Sequence, residues 1–441
     1  MDSQLSELKC LFAQVADKRA KNACHKLRDI LMLGYCVFAL KKPSLLNFEQ
    51  KTTAEISNLK QIYGIESICS DSTLREVLDT VNPNFLRTHL GTKFQTLEQT
   101  GILRDYAFKI GAQSYLIMSC DGTQHFSSKK IQCECCCAKE HTNGTTTYHH
   151  NLLCAALVHP QKREVFVADI EPIVRQDGTN KQDCELNAAK RLQDNFNKQY
   201  ADLLSKSNIL FVEDALFANI PHIEQLQKNG CSYVLNVKPD GHKSLFAYIE
   251  GKRTRGELST HCVVEKRGKK TTQYDFEFIN NVRLVAYDTP VRVNFIQCKQ
   301  TIFNDKDEII QVTTFSWVTD IKLTYHVVYA VMQAGRARWK VENETFNTLK
   351  NLGYHFEHNF GHGSNHLSTM FAYLMLTAFF TDQLVQYCCH NFQVLEQKMT
   401  TKIKLWHAIS ALFTTNLFTT IHNIYETIAK LYAFELTPNS S

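Results

Sequence analysis

Two apolar runs that each stop at an aspartate constrain the fold of this chain more than any other feature. SYLIMSC, residues 114–120, runs into Asp121-Gly122, and NILFVE, residues 208–213, runs into Asp214. Short apolar runs closed by turn formers read as buried strands. Between them lie YHHNLLCAALVH (148–159) and REVFVADI (163–170), two β-patterned segments joined across a short turn at Pro160, which read as a hairpin. An amphipathic stretch, residues 183–204 (DCELNAAKRLQDNFNKQYADLL), follows and reads as one long helix. After the second aspartate, HIEQLQKNG reads as a helix capped by Gly230, and SYVLNVK (232–238) as a further strand.

The order is therefore three strands, helix, strand, helix, strand. It predicts an α/β fold with a ribonuclease H-like mixed-sheet core spanning residues 106–238. From 239 to 325 the pattern is mainly β, with HCVVEK, TQYDFEFI, VRLVAYD, VRVNFIQCK and QVTTFSWVTD as strand candidates, and it reads as a β-rich insertion. Helical pattern returns in residues 326–385, which would complete the core, and continues through 386–441. Residues 1–105 read as a helical N-terminal domain and a candidate DNA-binding domain. Within it, SDSTLREVLDTVNP carries a start and a stop, with Thr73 and Glu76 in capping-box spacing and Pro83 ending the turn that follows.

At 441 residues the chain is long enough for two or three cores, and its net charge of +5 permits nucleic-acid binding without demanding it. Two basic runs, Lys252–Arg255 (KRTR) and 266–270 (KRGKK), are candidate phosphate contacts or solvated turns. Sixteen cysteines behind a polar opening segment lead us to expect a reducing, cytoplasmic setting, nucleoid-associated when the protein is on DNA. The most apolar run, Met370–Phe380, is too short to cross a bilayer, so no membrane role is expected.

Asp121 and Asp214 sit where α/β sheets place reactive groups. In ARWKVENETFNTLKNLGYHFEHNFGHG (337–363), a spacing of about 100° per residue puts Trp339, Phe346 and Leu349 on one stripe, with Glu342 among them and Glu344 on the far side beside Lys340. Arg338 and Lys350 flank that stripe. A carboxylate on a buried stripe needs a compensating cation or metal, or else merely pairs with Arg338. Three carboxylates on three separated elements can hold two divalent cations over a scissile phosphate, and hard oxygen donors suit Mg²⁺, with Mn²⁺ as surrogate.

Four passages carry a resemblance to a known family. They are SCDGTQHFSS around Asp121, ILFVEDALFAN around Asp214, VHPQKREVFVADIEPI with KQDCELNAAKRL, and the 337–363 segment. In this order, around a β-rich insertion, they resemble the DDE transposases of bacterial insertion sequences over roughly residues 70–385. The resemblance implies that Asp121, Asp214 and Glu342 are the catalytic, metal-binding triad and that Arg338 and Lys350 contact DNA phosphates. It also implies binding to terminal inverted repeats, cleavage at the ends, transfer of 3′-hydroxyls to target DNA, and a homodimer on paired ends. The chain departs from the family's Tyr-Arg-Glu-Lys signature twice: Gly335 occupies the tyrosine position, and Lys350 lies one residue farther from Glu342 than usual. Two other readings stand beside this one, a metal-dependent nuclease without strand transfer and a non-catalytic DNA-binding protein derived from a transposase.

The cysteines of KKIQCECCCAKEHTNGTTTYHH are candidates for Zn²⁺ with His141, His149 and His150. Adjacent thiols cannot all ligate one tetrahedral ion, which favours Cys133, Cys135, Cys136 and Cys137 as reduced loop thiols. His355, His358, His362 and His366 contain no HExxH and read as a polar helix end near DNA.

Overall fold

The computed structural model describes residues 2–174 and 184–436. Among the described residues, eleven strands form one sheet: β1 (Phe108–Ile110), β2 (Gln113–Ser128), β3 (Cys137–Glu140), β4 (Thr146–Val158), β5 (Phe166–Ile173), β6 (Asn208–Glu213), β7 (Ser232–Asn236), β8 (Ser259–Arg267), β9 (Lys270–Val282), β10 (Val293–Phe303) and β11 (Ile309–Thr319). Its central part runs β5-β4-β2-β6-β7, with β4 antiparallel to both neighbours and β2, β6 and β7 parallel. Residues Leu152–Val158 of β4 are all buried, as a strand flanked on both sides and covered on both faces must be.

The predicted strands and helices follow in the predicted order, with two short strands, β1 and β3, added and four further differences. First, β2 does not stop at Asp121; it continues to Ser128 because its antiparallel partner β4 extends that far, pairing Asp121 with Cys154. Second, the long helix is two, Glu185–Gln199 and Ala201–Lys206, divided at Tyr200, whose hydroxyl turns inward to donate to the Ala168 carbonyl at 2.6 Å. Asp183, its predicted first residue, lies outside the described residues.

Third, the 239–325 segment opens with a helix, Lys243–Thr254, and VRLVAYD is not a strand. There β9 ends at Val282, one residue after Asn281 takes a left-handed φ of 61°, and the return passes through Thr289-Pro290, where Pro supplies no N–H for a ladder. The antiparallel β8–β11 array is also continuous with the core, since β11 pairs with β7 through Trp317↔Asn236, Val318↔Leu235 and Thr319↔Val234. Fourth, the helix predicted from Thr73 begins at Asp71, and its N-cap is Ser70, whose side chain accepts from the Thr73 N–H at 3.3 Å.

The N-terminal helices pack directly on the core. Helix Leu27–Ala39 lies against Leu367–Cys388, a helix buried almost all round that also packs on β5. Arg87, from helix Asn84–Gln99, chelates Asp169 of β5 (Nε–Oδ1 2.5 Å, Nη2–Oδ2 2.8 Å) and reaches Glu171 at 2.5 Å. A buried carboxylate such as Asp169 is tolerated because this planar fork and the Asn195 amide, 3.0 Å away, compensate it. At the other end, buried Asn58 joins the N-terminal region to the C-terminal helices by donating to the Phe413 and Asn416 carbonyls at 2.8 and 2.7 Å. Among the described residues, no helix is long and apolar enough to cross a membrane.

Candidate active site

Asp121 and Asp214 are brought together by register. The last parallel pair between β2 and β6 is Ser119↔Val212, so each aspartate lies two residues farther along its own strand direction. Neighbouring strands are about 4.8 Å apart, which puts the two backbones side by side where β6 ends. Alternation then turns both side chains to the same face, while the intervening Glu213 points to the other and pairs with buried His222 at 2.6 Å.

Glu342 arrives on a π-helical turn, Val341–Phe346, that follows helix Val328–Ala337. This turn packs against β2 and β4, burying Val341, Thr345 and Phe346. The Arg338 carbonyl accepts from the Ser119 hydroxyl at 3.1 Å, which pins the segment beside the strand that carries Asp121. The wider turn changes the angular phase, so the stripe expected at about 100° per residue does not form as predicted. Phe346 and Leu349 are buried, but Trp339 is 51% exposed and Glu342 is exposed with it. Glu342 therefore faces the open side of the sheet edge instead of the core.

Arg338 pairs with Asp121, not with Glu342: Nη1 lies 3.3 Å from Oδ2, and the Arg338 side chain is only 12% exposed. The other Asp121 oxygen accepts from the Gly122 N–H at 2.9 Å. Burial nevertheless raises the Asp121 carboxyl above its ordinary range; Arg338 and the Gly122 N–H oppose that shift, and the negative charges of Asp214 and Glu342 add to it. Glu344 has different neighbours, its charge acting on Lys340 and Lys402. Lys350 pairs with Glu357 at 2.9 Å, so it does not rim Glu342.

A fourth carboxylate, Glu185, belongs to this group and was not among the residues singled out from sequence. Burial raises it too, with the charges of Asp121 and Asp214 contributing. Its Oε1 would lie 2.4 Å from any Cβ at position 122, so Gly122 provides the space it occupies. The available signal was an acid in the first turn of the helix after β5 together with a glycine after Asp121.

Gly335 also has a physical cause. A Cβ there would sit 2.6 Å from the indole Nε1 of buried Trp317 on β11, so this chain has no room for the tyrosine of the family signature. The basic runs differ in surroundings: Lys252, Arg253 and Arg255 are engaged by Glu257, Glu250 and Glu277, whereas 266–270 forms the exposed β8–β9 turn.

The donor set of Asp121, Asp214, Glu342 and Glu185 is entirely carboxylate oxygen, and the mutual repulsion among these groups is what a hard divalent cation would relieve. A family model described as the transposase DDE domain matches residues 121–380, more than half of the chain, and that span includes all three predicted acids. No curated protein matches the chain. The chain belongs to the DDE transposase family, whose members act on DNA in transposition and recombination and use divalent metals.

Proposed function

We propose that this DDE-family transposase binds the terminal inverted repeats of an insertion sequence, cleaves at the ends and transfers the 3′-hydroxyls to target DNA, working as a homodimer on paired ends. The observation that carries the reading is the equal register step of Asp121 and Asp214 on adjacent parallel strands, with Glu342 close enough to act on Asp121 electrostatically. The strand order β5-β4-β2-β6-β7, with only β4 reversed, supports a ribonuclease H-like core.

Asp121, Asp214 and Glu342 would hold two Mg²⁺ ions, or Mn²⁺ in their place. When bound, such ions activate the attacking water or 3′-hydroxyl and stabilise the leaving oxygen. Arg338 keeps the Asp121 carboxylate oriented and would meet a phosphate at the same edge. Lys350, already half-open to solvent beside Glu357, is a second phosphate contact once DNA competes for it. Residues 1–105 and 386–441, with the exposed 266–270 turn, are assigned to end recognition and protein contacts.

The test is incubation with DNA carrying the element's own ends in Mg²⁺ or Mn²⁺. Asp121→Ala, Asp214→Ala and Glu342→Ala should each bring cleavage below detection while end binding persists, and Glu344→Ala should retain cleavage. Equal loss from the two glutamate variants would sink the assignment of Glu342. Cleavage without joined products from paired ends would mean a nuclease, and binding without cleavage by the wild type a non-catalytic protein.

A further inference from the structure

The loop cysteines are not a set of separate thiols. Cys133 and Cys136, spaced C-x-x-C between β2 and β3, meet His150 of β4 and His362 from the segment after the glutamate turn, and their ligand atoms all lie within 4.8 Å of one another. Sequence reading missed the group because its fourth member is more than two hundred residues away and because adjacent cysteines obscured the spacing. Two other residues of that stretch are engaged elsewhere: the Cys137 thiol donates to the Ile173 carbonyl at 3.5 Å, and His141 pairs with Thr147 at 2.8 Å; Cys135 lies beside Cys133 but is not one of the four converging ligands.

We infer that Cys133, Cys136, His150 and His362 form a structural Zn²⁺ site, separate from the carboxylate site. With Zn–S near 2.3 Å and Zn–N near 2.0–2.1 Å, a tetrahedral ion requires ligand separations of roughly 3.8 Å for S···S, 3.5 Å for S···N and 3.3 Å for N···N. The sulfurs are 3.8 Å apart, Cys133–His150, Cys136–His150 and Cys136–His362 are 3.4, 3.3 and 3.3 Å, and the two Nε2 atoms are 3.1 Å apart. The sulfur separation is far beyond the roughly 2.05 Å of a disulfide.

Hydrogen bonding alone does not account for this cluster. His362 Nδ1 donates to the Gly363 carbonyl at 2.7 Å, which leaves Nε2 of the neutral ring as a lone pair. Two thiols and one His150 N–H then supply at most three protons for five close contacts. One cation satisfies all four lone pairs at once. The thiolate and imidazole donors select Zn²⁺ over the hard cations suited to Asp121 and its neighbours.

The surroundings are those of a closed site. Phe126 packs on His362 with ring centroids 4.4 Å apart and on His150 at 5.8 Å, which limits access of water. The His362 loop is held from its other side by Asp79, whose carboxylate accepts from the backbone N–H groups of Ser364, Asn365, His366 and Leu367 at 2.9–3.0 Å. Four protein ligands leave no open position, so the ion would be structural. It would join the strand pair carrying Asp121 to the segment that follows Glu342.

The decisive measurement is metal content of untagged full-length protein, followed by Co²⁺ substitution. About one tightly held Zn²⁺ per chain is expected, and the Co²⁺ form should show thiolate-to-cobalt charge transfer with the intense visible bands of tetrahedral coordination. Cys136→Ser and His362→Ala should lose the ion, whereas Cys135→Ser and His149→Ala, from the same loop and strand, should keep it. Wild type that carries no zinc and gives no charge-transfer band, or equal loss from Cys135→Ser, would overturn the inference. Because the wild-type spectrum decides even where a variant fails to fold, and needs no DNA, its outcome is independent of the transposition assay.

Discussion

Asp121 concentrates the residue-scale physics of the carboxylate cluster. Its carboxyl is raised chiefly by burial and further by Asp214 and Glu342, so the folded protein holds that proton more tightly than the unfolded chain does. Stability therefore falls as pH rises through the window that opens at the ordinary aspartate value and closes at the raised one. In metal-free buffer, Asp121→Asn should melt at a higher temperature than wild type near neutral pH, and the difference should vanish below about pH 3.8, where both carry no charge. Adding Mg²⁺ should stabilise wild type and do little for the variant. A thermal-shift series across pH, with and without metal, checks this; a lower melting temperature for Asp121→Asn at neutral pH without metal would show that the Arg338 pair outweighs burial and repulsion. Arg338 itself was legible as a flanking base, but its partner was not, because the partner lies 217 positions away on a strand.

At the scale of elements, the segment carrying Glu342 is placed by what it packs on. The helix Val328–Ala337 meets β11 where Gly335 accepts the Trp317 ring, and the π turn that follows is set by its contacts with β2 and β4. A helical wheel assumes a constant angle per residue, and the π turn Val341–Phe346 breaks the phase between Trp339 and Leu349, so Phe346 and Leu349 are buried while Trp339 and Glu342 face solvent. Restoring the family tyrosine by Gly335→Tyr should destabilise the fold by about 1–3 kcal/mol through overpacking against Trp317. The double variant with Trp317→Ala should lose less than the two single effects added together, since both act on one space. Differential scanning fluorimetry of the four proteins checks this, and a neutral Gly335→Tyr would mean the helix shifts to make room at no cost.

For the whole molecule, packing contacts cross the boundaries drawn from sequence. The β-rich segment extends the core sheet through β7, and the N-terminal helices cover Leu367–Cys388 and anchor on Asp169 through Arg87. Removing residues 1–105 would uncover an almost wholly apolar helix and leave Asp169 and Glu171 without Arg87. A broken buried ion pair alone costs about 3–5 kcal/mol. The fragment 106–441 should therefore be insoluble or rapidly proteolysed under conditions where the full chain is stable. Limited proteolysis and sedimentation of the two proteins decide the matter, and a soluble, cooperatively melting fragment would mean that residues 106–441 fold without the N-terminal helices.

The sequence by itself determined the parts whose information is local. Apolar runs closed by Asp121 and Asp214 marked the strands, the alternation of strands and helices gave the order of the core, and motif text around three acids gave the family. Tertiary structure decided whatever depends on approach between distant segments: the shared register of the two aspartates, the Arg338–Asp121 pair, Glu185 in the space beside Gly122, Trp317 against Gly335, and His362 beside Cys133, Cys136 and His150. The reason is physical. Local propensity and periodicity act over a few residues and leave a trace in the text, whereas pairing, close packing and coordination are fixed only when the sheet has brought its neighbours together.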